Sequence, residues 1–308
     1  MKIIRDYNNC PTICKGSVIA LGNFDGVHKG HLAVIEKARE IAAKEGLKSS
    51  VLTFEPHPLN ILKADIKPFR LTTEEQKTSI IQSRGIHNLF IINFDKEFSE
   101  IKAGEFIEEI LVNKLQAAHI VTGEDFIFGH KREGNRKMLS KAAKKHKFGY
   151  TRVRPVGDKA CVFSSSLIRK SLQEADLLSA AQMLGRNFFI AGTVQEGNKK
   201  GRELGFPTIN IPLCEYIRPA YGVYAVKIYI ENRPGWLYGA ANIGVKPTLG
   251  GTEELLEVHI FDFSENIYGH NVEVELIEYI RPERKFMNLD ELKSQIAEDC
   301  VKIREIFE

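Results

Sequence analysis

The fold of the N-terminal half follows from one run of residues, Val18-Ile19-Ala20-Leu21-Gly22-Asn23-Phe24-Asp25-Gly26-Val27-His28-Lys29-Gly30-His31. Its first four residues are apolar and predict a buried strand, and the amphipathic stretch 31–45 predicts a helix. The turn between them is rich in glycine, which lets a backbone approach an anion closely. Because the N–H groups at a helix N-terminus also attract anions, this run predicts a phosphate site between the strand and the helix.

The residues that follow repeat this alternation of short apolar runs and amphipathic stretches. Thr73 to Gln76 is typical of a capping box that opens a helix. Strands that alternate with helices predict a parallel sheet with helices on both faces. Further strands are predicted at 51–54, 89–92 and 119–121, and further helices at 73–83, 106–115, 136–146, 166–173 and 177–184.

From Phe188 onward the pattern changes to apolar residues that alternate with polar ones, as in 224–230 and 272–276. This period of two predicts antiparallel strands, and residues 232–235, Asn-Arg-Pro-Gly, are typical of a hairpin connection. About six strands in about 100 residues predict a small closed β-barrel. A single helix, with Asn288 as its N-terminal cap, is predicted to end the chain.

Length and composition favour a two-domain protein of the cytoplasm. A chain of 308 residues suits two domains, and the change of pattern predicts domains 1–184 and 185–308. The net charge of +3 favours anionic partners only weakly. The five cysteines lack the paired partners of a zinc site, and no apolar run approaches the roughly 20 residues of a membrane span. We therefore expect reduced thiols, no tightly bound protein-ligated metal and no membrane partner.

The N-terminal motifs predict phosphate chemistry. His28 and His31 are three residues apart, so both imidazoles lie on one side of the helix start, where they can stabilise negative charge on an α-phosphate. The run lacks the lysine of a Walker A loop and the spacing of a dinucleotide-binding loop. Residues 164–166 are three serines before a predicted helix, and Arg169 adds a cationic fork one turn later. Simple helix capping by serine is the alternative for those three residues.

The C-terminal motifs predict a second phosphate site. Thr208 and Asn210 are oxygen-bearing and two apart, so they share one face of a strand and can reach one Mg²⁺–phosphate centre. The glycines and lysines of 197–206 could surround a polyphosphate. Glu257, with His259 on the same face, is expected to face the barrel interior and to act as a general base. A surface hairpin and an outward-facing glutamate are the alternatives.

Both halves carry motifs that resemble those of the bacterial bifunctional riboflavin kinase/FAD synthetases. Ser166 stands where that family usually has threonine, which keeps the hydroxyl. The resemblance rests on residues 22–31, 53–58, 123–129 and 164–169 in the N-terminal half, and on residues 201–210, 222–224, 242–248, 257–263 and 281–286 in the C-terminal half.

This resemblance implies a Rossmann-like domain that adenylylates FMN with ATP to give FAD and pyrophosphate. It implies a β-barrel domain that phosphorylates riboflavin to FMN, with ADP as the other product and Mg²⁺ bound together with ATP. The catalytic residues that it implies are His28, His31, Arg169 and Glu257, and the Mg²⁺ ligands are Thr208 and Asn210. The implied ATP-binding residues are Gly22, Asn23, Phe24, Asp25, Ser164, Ser165, Ser166, Gly192, Gly197, Lys200, Arg202, Thr208 and Asn210, and the implied flavin-binding residues are His57, Asn60, Asp125 and Arg281.

Other functions remain open on the sequence alone. The histidine motif together with Lys137-Met138-Leu139-Ser140-Lys141 resembles class I aminoacyl-tRNA synthetases, and the basic stretch 131–147 could bind RNA. That stretch also suits a solvated helix face, and no region resembles an anticodon-binding module. A non-catalytic flavin sensor, or a chain with one active domain, is also compatible with the motifs. We expect no nucleic-acid partner and a monomer or weak homo-oligomer.

Overall fold

A computed structural model of the chain describes residues 1–63, 65–158, 161–196, 201, 204–248 and 251–308. These residues form two compact units. The first consists of Met1–Lys67 with Thr72–Ser165, and the second of Pro68–Leu71 with Ser166–Glu308. In the part of the chain so described, no helix combines the length and apolar character needed to cross a membrane.

The first unit contains a parallel sheet, with six strands among its described residues. Its strand order is β1-β4-β3-β2-β5-β6. Because β3 and β5 flank β2, the chain order reverses at β2, and ligands of such sheets bind beyond the carboxyl ends of the strands at this point. The strands are β1 (Lys2–Ile4), β2 (Val18–Leu21), β3 (Ser49–Glu55), β4 (Asn88–Asn93), β5 (His119–Gly123) and β6 (Gly149–Val153).

Helices cover both faces of this sheet, as predicted. The strand β2 shows why, since Val18 and Ala20 pack into one hydrophobic core while Ile19 and Leu21 pack into the other. The helices of this unit are α1 (Lys29–Glu45), α2 (Pro58–Leu62), α3 (Glu74–Gln82), α4 (Lys96–Ser99), α5 (Ala103–Glu105), a π-type helix (Phe106–Lys114) and α6 (Arg136–His146), with short 3₁₀ turns at Thr12–Cys14 and His130–Arg132.

The four predicted strands of this unit are confirmed, and so is the capping box of α3, in which Thr73 and Gln76 bond each other's backbone N–H groups. The predicted helix at 106–115 is of the π type. The strands β1 and β6 and the short helices α2, α4 and α5 were not predicted. Each of these missed elements has between three and five residues, too few to show a period.

The second unit contains an antiparallel sheet of the order β7-β12-β9-β10-β11-β8, with six strands among its described residues. A backbone bridge between Gln195 and Asn210 joins the two edges, so the sheet forms a nearly closed barrel, as predicted. The elements are α7 (Ser165–Gln173), which begins at the division between the units, α8 (Leu177–Leu184), β7 (Phe189–Thr193), β8 (Ile209–Pro212), β9 (Gly222–Ile230), β10 (Leu237–Thr248), β11 (Gly251–Ile260), β12 (Asn271–Pro282) and α9 (Leu289–Phe307).

The division between the units differs from the predicted boundary at 184/185. Residues 166–184 belong to the second unit, where the N–H of Ala220 donates to the carbonyl of Leu172 over 2.9 Å. Residues 68–71 also belong there, because the N–H of Arg70 donates to the carbonyl of Glu215 over 3.0 Å. Helical periodicity does not reveal which hydrophobic core a helix joins. The change to a period of two in the sequence therefore indicated only where the barrel begins.

Candidate active sites

The first site begins with His28, which caps the N-terminus of α1. Its Nδ1 accepts the backbone N–H groups of Gly30, at 3.1 Å, and His31, at 3.4 Å. In a neutral ring the proton therefore resides on Nε2, which becomes a hydrogen-bond donor. A Cβ at position 30 would come within 2.9 Å of the His28 ring, so a larger residue there would displace the ring. The two imidazoles stack with their centroids 3.7 Å apart.

The turn before His28 is held in an unusual backbone conformation. Phe24, Gly26 and Val27 have φ values of 53°, 82° and 38°, and the left-handed region is rare for a β-branched residue. Asp25 is buried, and its carboxylate accepts the N–H of Thr72 at 3.2 Å. Asp25, predicted to bind ATP, therefore stabilises the turn with its side chain. Strain of this kind is typical of functional sites.

Beyond the carboxyl ends of the strands lies a cavity of about 220 Å³, which we call the phenylalanine cavity. Asn23 of the turn and His57 line it together with Arg132. Aromatic walls of this kind suit a flat, conjugated ring, which gains stacking as well as apolar burial. The aromatic lining residues are Phe54, Phe94, Phe98, Phe106, Phe126 and Phe128.

The predicted flavin-binding residues of this unit have different positions. His57 is buried in the lining, and its Nδ1 caps α2 by accepting the N–H of Leu59 at 3.1 Å. Asn60 is half-buried on α2 and Asp125 is exposed, and neither lines the phenylalanine cavity. Phe54, Phe126 and Phe128 lie in the motif segments 53–58 and 123–129, whereas Phe94, Phe98 and Phe106 lie outside every motif and join the cavity only through the fold.

The serine-rich segment supports the turn through one of its hydroxyls. Ser165 starts α7, and its hydroxyl donates to the carbonyl of Asp25 over 2.9 Å. Ser164 is half-buried and Ser166 is exposed. Arg169 lies in the second unit, where its Nε donates to the carbonyl of Phe69 over 2.7 Å and its guanidinium packs 5.2 Å from the ring of Phe69.

In the second unit, a row of side chains crosses the barrel on one face. Glu257 pairs with Asn242 on one side and with Asn210 on the other, and Asn242 pairs in turn with Val223. Residues directly opposite in antiparallel strands point to the same face. Val223 pairs with Arg281, so the row extends to β12.

The expectation that Glu257 faces the barrel interior was wrong. Its neighbour Leu256 points the other way, together with Ile243 and Ile211, and all three are fully buried. Val223, on the Glu257 face, belongs to the same hydrophobic cluster as Ile303 of α9. Alternation along a strand separates two faces, but it does not tell which of them the terminal helix covers.

One cavity adjoins this row, and a second cavity shares only Thr208 with the first. Glu257, Thr208 and Arg281 line the first, together with Phe286 of the loop before α9, and we call this space of about 410 Å³ the Glu257 cavity. Thr208 also lines a second space of about 370 Å³, the Tyr268 cavity. The other lining residues of the Tyr268 cavity include Pro207, Ile209, Val258, Ile260, Phe263 and Tyr268. Thr208 therefore lies where the two cavities meet.

Several residues that line the Glu257 cavity form ion pairs and hydrogen bonds. The guanidinium of Arg281 donates to Asp299 from Nε at 3.0 Å and from Nη2 at 2.8 Å, and Gln295 donates to the same carboxylate over 2.9 Å. Arg281, predicted to bind flavin, therefore reaches the cavity with its charge already paired. His259 donates from Nδ1 to the carbonyl of Pro207 over 2.9 Å. Burial raises the pKa of the nearby Cys300 thiol to about 11, which keeps it protonated.

Asn210, which pairs with Glu257 but lines neither cavity, has a side chain that fits a cation. It is 4% exposed, and its Oδ1 has no hydrogen-bond partner among the described residues. An unpaired buried oxygen is uncommon and suits a hard cation such as Mg²⁺. Gly192 lines neither cavity, and a Cβ there would meet Ile211 at 2.8 Å. The remaining predicted ATP-binding residues, Gly197, Lys200 and Arg202, lie outside the described residues.

Comparisons with known proteins cover both units. A family model described as FAD synthetase matches residues 10–167, and one described as riboflavin kinase matches residues 184–307. The bifunctional riboflavin kinase/FMN adenylyltransferase of Escherichia coli (strain K12) is 38% identical over 309 residues, which cover 100% of this chain and 98% of the relative. That of Haemophilus influenzae is 40% identical over 308 residues, which cover 100% and 99%.

A solved structure has a similar fold along nearly the whole chain. It is that of a protein from Streptococcus pneumoniae named as a macrolide-efflux protein, with a TM-score of 0.83, 30% identity and 96% of each chain covered. The sequence relatives and the two family models agree with each other. The chain belongs to the bifunctional riboflavin kinase/FMN adenylyltransferase family, the ATP-using enzymes that make FMN and FAD.

Proposed function

We propose that FMN is adenylylated at the turn between β2 and α1, and that riboflavin is phosphorylated in the Glu257 cavity. The observation that carries the second assignment is the position of Thr208, which lines both the Glu257 cavity and the Tyr268 cavity. A phosphoryl group can pass between two substrates only where their binding spaces meet. The cap formed by His28 supports the first assignment, because it ends the turn whose Asn23 lines the phenylalanine cavity.

In the adenylylation, the isoalloxazine ring of FMN stacks in the phenylalanine cavity. A phosphate oxygen of FMN attacks the α-phosphorus of ATP, and pyrophosphate leaves without a covalent enzyme intermediate. His28 uses Nδ1 to bind the start of α1 and offers Nε2–H to the phosphates, so the ring extends the positive helix end towards the substrate. His31 adds a second imidazole, and Arg169 and the three serines remain proposed ATP ligands.

In the phosphorylation, riboflavin occupies the Glu257 cavity and ATP the Tyr268 cavity. The carboxylate of Glu257 accepts the proton of the ribityl 5′-hydroxyl, whose oxygen attacks the γ-phosphorus while ADP leaves. Phe286 offers an aromatic face to the flavin. The paired charge of Arg281 supports a role in shaping the flavin site, since Asp299 already binds its guanidinium.

The oxygen atoms of Thr208 and Asn210 fit Mg²⁺ as a ligand of ATP. The Oδ1 of Asn210, buried and without a hydrogen-bond partner among the described residues, supports this proposal. When bound, Mg²⁺ neutralises charge on the transferring phosphate. A cytoplasmic location and a monomeric or weakly oligomeric state stay predictions.

One pair of variants of the full chain tests the assignment of the two sites. With riboflavin and Mg-ATP, the wild type should form FMN first and FAD later. Glu257→Ala should reduce FMN formation by about 10²- to 10⁴-fold and leave the conversion of FMN to FAD intact. His28→Ala combined with His31→Ala should do the reverse.

The control for Glu257 is Glu278→Ala, which removes an exposed glutamate of β12 that lines neither cavity and should change neither activity. The proposal is wrong if either site variant abolishes both activities in a folded chain. Flavin binding by the wild type without consumption of ATP would indicate a sensor instead of an enzyme.

A further inference from the structure

The strongest polar cluster outside the groups considered so far is centred on Lys77 of α3. Its side chain is 1% exposed, and its Nζ lies 2.5 Å from Oε1 of Glu55. The same ammonium donates to the hydroxyl of Thr53 over 3.2 Å. It also donates to the carbonyls of Phe54 and Asn23, each over 3.5 Å. One cation therefore contacts the final residues of β3 and the first turn residues after β2.

These partners lie at the point where the chain order of the sheet reverses. Asn23 and Phe54 both line the phenylalanine cavity, whereas Lys77 does not. A buried ammonium is retained only when it is paired and hydrogen-bonded, and an ion pair in this position specifies geometry more than stability. The contacts therefore link the two strand ends that form the cavity wall.

The residue before the cap of α3 also contacts the turn between β2 and α1. Thr72, which precedes the helix cap, binds the carboxylate of Asp25 and accepts the N–H of Gly26 over 3.0 Å. Two residues near the start of α3 therefore contact the turn between β2 and α1. Thr72 lies just before the helix cap, and Lys77 lies in the first helical turn of α3. Both contacts lie within the first unit.

We propose that Lys77 is a positioning residue for FMN adenylylation, which holds Asn23 and Phe54 where the flavin must bind. This inference rests on the proposed adenylylation site. Lys77 does not contact the substrate, so its removal should act mainly on the binding of FMN. Displacement of a site wall by about 1 Å can lower a rate by about 10²-fold.

The test uses three variants of the full chain and the riboflavin kinase reaction as an internal control. Lys77→Arg keeps the charge, Lys77→Met removes it, and Lys77→Met combined with Glu55→Gln removes both charges, so that no buried carboxylate is left unpaired. A matched control is Lys145→Met, which breaks the exposed ion pair between Lys145 and Glu108.

We expect the KM for FMN in adenylylation to rise about tenfold or more in both methionine variants, and less in Lys77→Arg. The KM for riboflavin in the kinase reaction should not change, and Lys145→Met should match the wild type. A role in folding alone would lower the amount of active enzyme and leave the KM for FMN unaltered, and that result in the double variant overturns the inference.

The proposed adenylylation site fails in a different way. If the His28→Ala, His31→Ala chain still forms FAD, the site itself is misassigned. A second outcome is that the His28→Ala, His31→Ala chain forms no FAD while the combined Lys77→Met, Glu55→Gln variant has the wild-type KM for FMN. The adenylylation site is then supported, and the role of Lys77 is refuted.

Discussion

The imidazole ring of His28 stacks on that of His31, with 3.7 Å between the ring centroids and 24° between the ring planes. The His31 ring also meets the ring of Phe24 edge-on at 5.3 Å. His28 also caps α1, and this hydrogen bonding fixes which ring nitrogen carries the proton. The same side chain therefore begins the helix and packs against the imidazole of His31. Substitutions of His28 can therefore separate its role as the helix cap from its proposed role in adenylylation.

His28→Asn keeps a side-chain oxygen that caps the helix but removes the Nε2–H donor. We expect FMN adenylylation to fall by about 10²-fold or more, with a free energy of unfolding close to that of the wild type. His28→Ala should lose the same activity and, in addition, about 1 kcal/mol of unfolding free energy. Rates of FAD formation and urea unfolding check both statements, and wild-type activity in His28→Asn would contradict the assigned donor.

Thr208 should be essential to the kinase reaction through its hydroxyl. Thr208→Val keeps the shape of the side chain and removes the oxygen, so we expect kcat/KM for riboflavin phosphorylation to fall about 10²-fold. Thr208→Ser retains an oxygen and should keep most of the rate. Steady-state assays of FMN formation measure the effect, and FAD formation from added FMN should stay unaltered in both variants.

Two aromatic substitutions should affect the two flavin substrates separately. Phe126 stacks on Phe128 in the phenylalanine cavity, and Phe286 lines the Glu257 cavity. Loss of one stacking partner should raise a KM by about 2- to 10-fold. Phe126→Ala should therefore raise the KM for FMN alone, and Phe286→Ala the KM for riboflavin alone. An equal rise of both constants in either variant would disprove this division.

The stability of the first unit should decrease in mild acid because of His119. Burial lowers the pKa of this imidazole below its ordinary value of 6.5, so the folded state binds fewer protons than the unfolded state. The unfolding free energy should thus fall as the pH drops below about 6.5 and level off below the folded-state pKa. His119→Asn should have a flatter pH dependence, measured by urea unfolding between about pH 5 and pH 7.

The matched control is Thr151→Val, which removes the hydroxyl that lies 2.8 Å from Nε2 of His119 and leaves the imidazole in place. This variant should keep a pH dependence that His119→Asn loses. The same slope in the wild type and in His119→Asn would show that other groups cause the acid sensitivity.

Sequence patterns predicted the regular elements where their period was long enough. The strand 18–21, the cap at Thr73 and the cap at Asn288 are confirmed, because each depends on residues close together in the chain. The motifs also indicated Thr208 and Glu257, which line cavities, and His28, which caps α1. Lys77 gave no signal, since a buried lysine on an otherwise polar helix turn has the same sequence pattern as an exposed one.

The sequence by itself determined the class of each domain, the family, and the residues able to carry phosphate chemistry, since helix caps, strand periods and glycine turns act over a few neighbouring residues. Only the tertiary structure decided that Glu257 lies on the face beneath α9, that Thr208 joins two cavities and that Lys77 connects β2 with β3. These relations depend on strand pairing and helix packing between distant segments, and no local pattern encodes which face closes inward.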